Sequence, residues 1–124
     1  MSSHPIHVSV IPQFLPEHSQ PENDQYSFAY HITITNNGDQ TVTLLSRHWI
    51  IIDGNNNQQE VQGLGVIGQQ PAIAPGESYS YTSGVPLETP IGTMEGSYHM
   101  INEDGEAMEI PIPQFVLAAP GMLH

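Results

Sequence analysis

Three glycines in the middle of the chain stand at the spacing of a nucleotide-binding motif. Gly63, Gly65 and Gly68 form the pattern Gly-x-Gly-x-x-Gly, in which glycines let backbone amides approach a pyrophosphate at the N-terminus of a helix. Residues 69–76 include Pro71 and Pro75, which is incompatible with a regular helix there. The glycines are therefore interpreted as residues that permit turns or close packing. A small-ligand, nucleotide or divalent-cation sensor built on the glycine-rich loop 63–68 is kept as the alternative.

Seven histidines are a possible source of metal ligands, because neutral imidazole commonly binds zinc, copper and cobalt. His48 and His99 become neighbours if the strands that carry them pair. A third ligand does not follow from the spacing, although Glu95 is one option. The sequence leaves a metal site undefined, and we predict no cofactor.

The sequence gives no support for nucleophilic catalysis. It contains no cysteine and no Gly-x-Ser-x-Gly elbow. The serines close to histidines, Ser46 and Ser97, are expected on or beside strands without a third orienting group. The thirteen Asp and Glu residues allow many carboxylate pairs and single out none. We predict that the protein is not an enzyme.

The charge balance excludes several classes of partner. Thirteen acidic residues face one basic residue, Arg47, and the formal net charge is -12. Binding to nucleic acid or to an anionic membrane depends on many Lys and Arg contacts, so neither is expected. No apolar run approaches the roughly 20 residues of a membrane-spanning helix. The first residues show no secretory signal, and we expect a cytoplasmic location.

Short alternating segments separated by Gly and Pro predict an all-β chain. The clearest strand runs from Gln25 to Asn36, with Phe28 and Ile32 on the buried face. The turn residues 36–39 predict a hairpin to a strand that begins near Thr41. A bend or bulge is expected at residues 46–48, followed by a run at 49–52 that is buried on both faces.

Further strands complete the predicted fold. An opening strand is expected at 6–14, an edge strand at 58–61, a strand at 78–83 and a loop at 84–92. A final hairpin turns at Asp104-Gly105, and its last strand lies at an edge because Pro111 and Pro113 cannot donate to a sheet. About seven strands at this spacing predict an antiparallel β-sandwich, with a six- or seven-stranded barrel as the second choice. We expect one domain over residues 1–124, with a core at about 6–117 and frayed termini.

Four ordered blocks of sequence resemble the ApaG family: residues 47–49, 63–71, 75–84 and 89–98. The resemblance extends from about Ile6 to Phe115. It implies an immunoglobulin-like or fibronectin type III-like sandwich. It also implies a domain that recognises partner proteins, in a family whose name is linked to cobalt and magnesium efflux.

Taken together, these observations predict a non-enzymatic binding module with a protein partner that the sequence does not identify. Exposed aromatic and arginine side chains near loops are frequent anchors of such interfaces. A homodimer through an unpaired edge strand is a further possibility. The candidate binding residues are Arg47, His48, Trp49, Gly63, Gly65, Gly68, Gln70 and Pro71.

Overall fold

The computed structural model describes residues 5–121, and its regular elements are almost all β-strands. The strands are β1 (Ile6–Phe14), β2 (Tyr26–Asn36), β3 (Val42–Asp53), β4 (Gln58–Leu64), β5 (Ala72–Ile73), β6 (Ser78–Leu87), β7 (Ile91–Ile101) and β8 (Ala107–Ala118). Two short 3-10 turns, Pro16–His18 and Pro21–Asn23, connect β1 to β2. Within the described range, no helix has the length and apolarity needed to cross a bilayer. The predicted fraying concerns ends that lie largely outside this range.

The strands form two packed antiparallel sheets. One sheet has the order β1-β2-β6, and the other has the order β4-β3-β7-β8, with β5 also paired to β3. Three strands facing four is the arrangement of immunoglobulin-like and fibronectin type III-like sandwiches. The predicted sandwich is confirmed and the alternative barrel is not observed. The strand count is eight because the two-residue β5 joins the seven longer strands.

The core lies between the sheets and follows the period-two pattern of each strand. Phe28, Ile32 and Ile34 of β2 are almost fully buried, and Trp49 and Ile51 of β3 face them from the other sheet. Burying a side chain of this size stabilises the fold by about 1.5–3 kcal/mol. The strand predicted at 25–36 is therefore confirmed, together with its buried face.

The predicted hairpin between β2 and β3 is wrong. β2 pairs with β1 and β6, whereas β3 lies in the other sheet, so residues 37–41 carry the chain across the sandwich. Asn36 is buried, and its side-chain amide donates to the carbonyls of Gln40 and Ile73 at 2.8 and 2.9 Å. Its side-chain oxygen accepts from the amide of Gly38 at 2.9 Å. The hydrogen bond to Ile73 reaches beyond the local turn, and together the three bonds hold the chain in a crossing path.

The predicted loop at 84–92 is shorter than expected. β6 continues through Pro86 to Leu87, and Leu87 pairs with Tyr26. A proline is tolerated because β6 is an edge strand whose outer side needs no donor. The edge position predicted for the last strand is confirmed for β8.

The irregularity expected near residues 46–48 is present one residue earlier. The register between β3 and β7 shifts between Leu44 and Ser46. Beyond it, Trp49 and Ile51 are buried, while Ile50 and Ile52 are only half-buried on the outer face. Burial of 49–52 on both faces was therefore an overestimate, because no third layer covers this sheet.

Candidate binding site

Arg47, the only lysine or arginine in the sequence, points inward at one end of the sandwich. It lies two residues before the buried Trp49 on the same face of β3. Its Nη1 atom donates to the carbonyl oxygens of Leu64 at 3.1 Å and of Gly65 at 2.8 Å. The guanidinium thus ties the end of β4 to the middle of β3.

Gly63 makes this arrangement possible. It is the register partner of Arg47 in the neighbouring strand. A Cβ atom at position 63 would lie 2.9 Å from both terminal nitrogens of Arg47. The absence of a side chain at Gly63 thus lets the guanidinium lie close against the backbone of β4.

Two tyrosine hydroxyls meet in the interior beside Arg47. Tyr81 of β6 and Tyr98 of β7 share a hydrogen bond between their Oη atoms. Burial raises the pKa of both phenols above the usual range, and the nearby positive charge of Arg47 opposes this rise only weakly. Both hydroxyls are neutral at pH 7, and their hydrogen bond connects the two sheets.

The glycine-rich loop is a tight turn and not the start of a helix. Gly65, Ile67 and Gly68 all have positive φ angles, of 62°, 48° and 75°. The amide of Gly65 donates to Leu45, while Val66 and the nearby Gln69 exchange backbone hydrogen bonds. Three amides in or next to the loop thus already donate to backbone carbonyls of the chain itself, so few amide donors remain to bind a phosphate.

The polypeptide around the β3 irregularity is held by the residues that follow this loop. The side-chain amide of Gln70 donates to the carbonyl of Leu45 at 2.9 Å. The carbonyl of Pro71 accepts from the amide of Leu44 at 3.0 Å. Gln70, Pro71 and Arg47 therefore lie near one another, and their hydrogen bonds hold β3 to the segments that follow β4.

Trp49 and His48 lie on opposite faces of β3. Trp49 is only 2% exposed, and its ring packs edge-on against Tyr30 and Phe115. Its indole nitrogen is buried without a hydrogen-bond partner. His48 lies on the outer face, where Nε2 is 2.8 Å from a carboxylate oxygen of Glu60. Of these two neighbours, only His48 is placed to meet a partner.

The outer face brings His48 and His99 into diagonal proximity, as their strand pairing predicted. Each histidine lies closest to a different carboxylate, since His99 is 3.8 Å from Glu109. Glu95 lies opposite Ile50 on the same sheet. Within residues 5–121, no three such side chains come together in a way that could hold a metal ion.

Sequence reasoning missed an exposed apolar surface that lies beside Arg47 and Gln70. Five large apolar residues are exposed in the described range, and three of them are Val61, Leu64 and Ile67. Leu64 is 77% exposed and Ile67 is 59% exposed, whereas Val66 between them is buried. We call residues 58–68 the β4-loop surface. The sequence could not predict that Val66 points inward and Ile67 points outward, because the positive φ angles of this loop interrupt the strand alternation.

A cleft of about 840 Å³ opens at the other end of β4. Gln58 and Gln59 line it together with the carboxylates of Asp24, Asp53 and Glu88. Backbone hydrogen bonds, chiefly from Asn57, hold the pKa of Asp53 below its usual value. No lysine or arginine lines this cleft, so it presents negative charge beside the start of β4.

Comparison with known proteins agrees with this architecture. The family model for the ApaG domain matches residues 16–102. The chain belongs to the ApaG family. The Protein ApaG of Dechloromonas aromatica is 60% identical over 119 residues, which are 96% of this chain and 94% of that protein. The Protein ApaG of Ralstonia nicotianae is 52% identical over the full length of both chains.

ApaG relatives of known structure share the whole sandwich. A crystal structure described as an ApaA protein of Bordetella pertussis superposes with a TM-score of 0.91 at 55% identity, and 94% of each chain is covered. The family resemblance drawn from the sequence blocks is therefore confirmed. The ApaG match extends across Arg47, the glycine loop and the paired tyrosines.

Proposed function

We propose that this ApaG-family protein is a non-enzymatic, cytoplasmic protein-binding module that contacts its partner through the β4-loop surface. The observation that carries the proposal is the exposure of Leu64 and Ile67 on one short segment. Exposed apolar residues that cluster beside polar groups are typical of interaction sites. Ile67 also has a backbone conformation that β-branched residues rarely adopt, and such strain is common in functional loops.

In this proposal, most of the sequence-predicted site residues position the surface and do not touch the partner. Arg47 donates to the carbonyls of Leu64 and Gly65. The side-chain amide of Gln70 donates to the carbonyl of Leu45 in the neighbouring strand β3. The buried side chain of Val66 anchors the loop in the core. A loop fixed in this way loses little conformational entropy on binding.

Site-specific photo-crosslinking in cells tests the proposal. A benzophenone amino acid at Leu64 is expected to give an adduct of one defined mass, because this side chain is 77% exposed. The matched control is the same amino acid at Ile11, which is 63% exposed on β1 of the other sheet. The captured protein is then purified and titrated against the unmodified chain.

Charged substitutions complete this test. Leu64→Glu and Ile67→Glu are expected to weaken the titrated affinity at least about tenfold, since each removes a desolvated apolar contact. Ile11→Glu is expected to leave the affinity unchanged. Equal capture from Leu64 and Ile11, or equal affinities for all three variants, would contradict the proposal.

The alternative prediction, a cation or nucleotide sensor on loop 63–68, has less support from the geometry. The amides of Gly65, Val66 and Gln69 already donate to the chain, and the link to cobalt and magnesium efflux comes only from the family name. Calorimetry with cobalt, magnesium and ATP tests this alternative directly. Saturable heat of binding with any of these ligands would favour it.

A further inference from the structure

The edge of β4 differs from every other long edge of the sandwich. β1, β6 and β8 each carry proline, at Pro12, Pro86, Pro111 and Pro113. β4 has no proline, and its register with β3 is unbroken from Gln58 to Leu64. Proline, lysine and bulges are the devices by which proteins block strand addition at an edge. Among residues 5–121, β4 is therefore the long edge that is open to an added strand.

The register identifies the backbone groups that this edge presents. The amide of Gly65 donates to Leu45 of β3, and the groups of successive residues alternate between the two sides of a strand. The amides of Gln59, Val61 and Gly63 thus face β3. The amides of Gln58, Glu60 and Gln62 face outward, and the described residues offer them no backbone acceptor.

The charge around the first residues of β4 is negative, whereas the guanidinium of Arg47 lies beside its last residues. Glu60 lies on the outer face, in a row with Ile50 and Glu95. The acidic cleft with Asp53 and Glu88 lies beside the first residues of β4. An added strand would project alternate side chains toward these two sets of carboxylates.

We propose that β4 accepts an extended lysine- or arginine-rich segment of a partner protein as an additional strand. Backbone hydrogen bonds to the outward groups of Gln58, Glu60 and Gln62 supply the attachment, and the carboxylates select basic side chains. This inference rests on the proposed function and specifies its mode of binding and the chemistry of the partner. A second copy of this chain suits the edge less well, because each copy has a formal net charge of -12.

Hydrogen exchange measured by NMR tests this inference residue by residue. The probe is a seven-residue peptide of alternating lysine and valine, added to the intact protein. Exchange at the amides of Gln58, Glu60 and Gln62 is expected to slow about tenfold or more. The amides of Gln59 and Val61, which already bond to β3, are the internal reference and are expected to change little.

Two controls separate strand addition from simple charge attraction. A peptide of alternating glutamate and valine is expected to give no protection. Gln62→Pro removes one outward amide and is expected to weaken binding of the basic peptide about tenfold, whereas Gln62→Ala keeps the amide and most of the affinity. Thermal unfolding of both variants establishes that the sheet is intact. If Gln62→Pro does not fold, the exchange pattern of the unmodified protein decides the question.

Several outcomes would overturn the inference. They are unchanged exchange at the outward amides with millimolar basic peptide, protection at β6 or β8 instead, or equal protection by the acidic peptide. Protection of the β4 amides without peptide, together with a dimer in sedimentation, would make a second copy the occupant. A specific adduct at Leu64 combined with any of these results would leave the protein-binding proposal standing and reject strand addition alone.

Discussion

Two backbone carbonyls at the end of β4 depend on one side chain for their donors. The guanidinium of Arg47 reaches them by passing over Gly63, and its Nη1 atom donates to both carbonyls. The same position places the cation beside the paired hydroxyls of Tyr81 and Tyr98. Arg47 therefore organises the polar end of the core.

We expect Arg47→Met to lower the free energy of unfolding by about 1–3 kcal/mol, since it leaves the carbonyls of Leu64 and Gly65 without their donor. Arg47→Lys should recover only part of this loss, because the lysine side chain is one bond shorter and places its nitrogen farther from the two carbonyls. Urea denaturation of the three proteins measures the difference. Full recovery by lysine would show that charge alone matters at this position.

The carboxylate of Asp53 accepts three hydrogen bonds in the turn that follows β3. Hydrogen bonds from the Asn57 and Asn55 amides lower its pKa in the folded state, so its ionised form stabilises the fold above the usual carboxyl range. This contribution is lost as the pH falls through the lowered pKa. Asp53→Asn should be less stable than the native protein at pH 7, and the difference in the free energy of unfolding should narrow as the pH falls below the usual carboxyl range. A difference that stays constant across urea titrations at these pH values would contradict the assignment.

The grouping of the site could be predicted from the sequence, but the directions of its side chains could not. Arg47, Gly63 and Gln70, which the sequence analysis grouped as candidate binding residues, do lie close together. A bulge near residue 45 reverses the inward and outward alternation downstream, and its exact position is set by pairing with β7. The sequence alone could not show that Arg47 and Trp49 face the interior.

At the scale of elements, the contact between β3 and β7 depends on Gly96. A Cβ atom at this position would lie 2.0 Å from the carbonyl oxygen of His48. We expect Gly96→Ala to lower the free energy of unfolding by about 2–3 kcal/mol through displacement of the strand pair. Thermal or urea unfolding measures this loss.

Gly84→Ala is the matched control for that substitution. Its Cβ would lie 3.3 Å from the carbonyl oxygen of Phe28, so a change within about 1 kcal/mol is expected. Equal losses at Gly84 and Gly96 would indicate a general effect of alanine in strands rather than the close approach at β7.

Sequence reasoning located β1 and β2 correctly, and the apolar alternation of β2 is the clearest in the chain. The connection after Asn36 was predicted wrongly because an Asn-Gly turn has the same local signature in a hairpin and in a crossing between sheets. The deciding hydrogen bond, from Asn36 to Ile73, joins residues far apart in the chain. Strand β5 was missed because two residues carry no periodic pattern.

For the whole molecule, the dominant quantity is a net charge of -12 with an isoelectric point near 4.5. Mutual repulsion should keep the purified protein monomeric at pH 7 in low salt, despite the open edge of β4. Self-association should increase as the pH approaches 4.5 and the carboxylates lose charge. Sedimentation velocity at a series of pH values measures this, and a stable dimer at pH 7 would contradict it.

The position of Arg47 also gives the molecule a built-in unfolding reporter. Trypsin cuts after lysine or arginine, and the bond from Arg47 to His48 is the one such bond in the sequence. It lies in the middle of β3, between β4 and β7, where a protease cannot bind an extended chain until both neighbouring strands separate. A single scission into two fragments would therefore occur at a rate that follows opening of the sheet and not the fraying of either terminus.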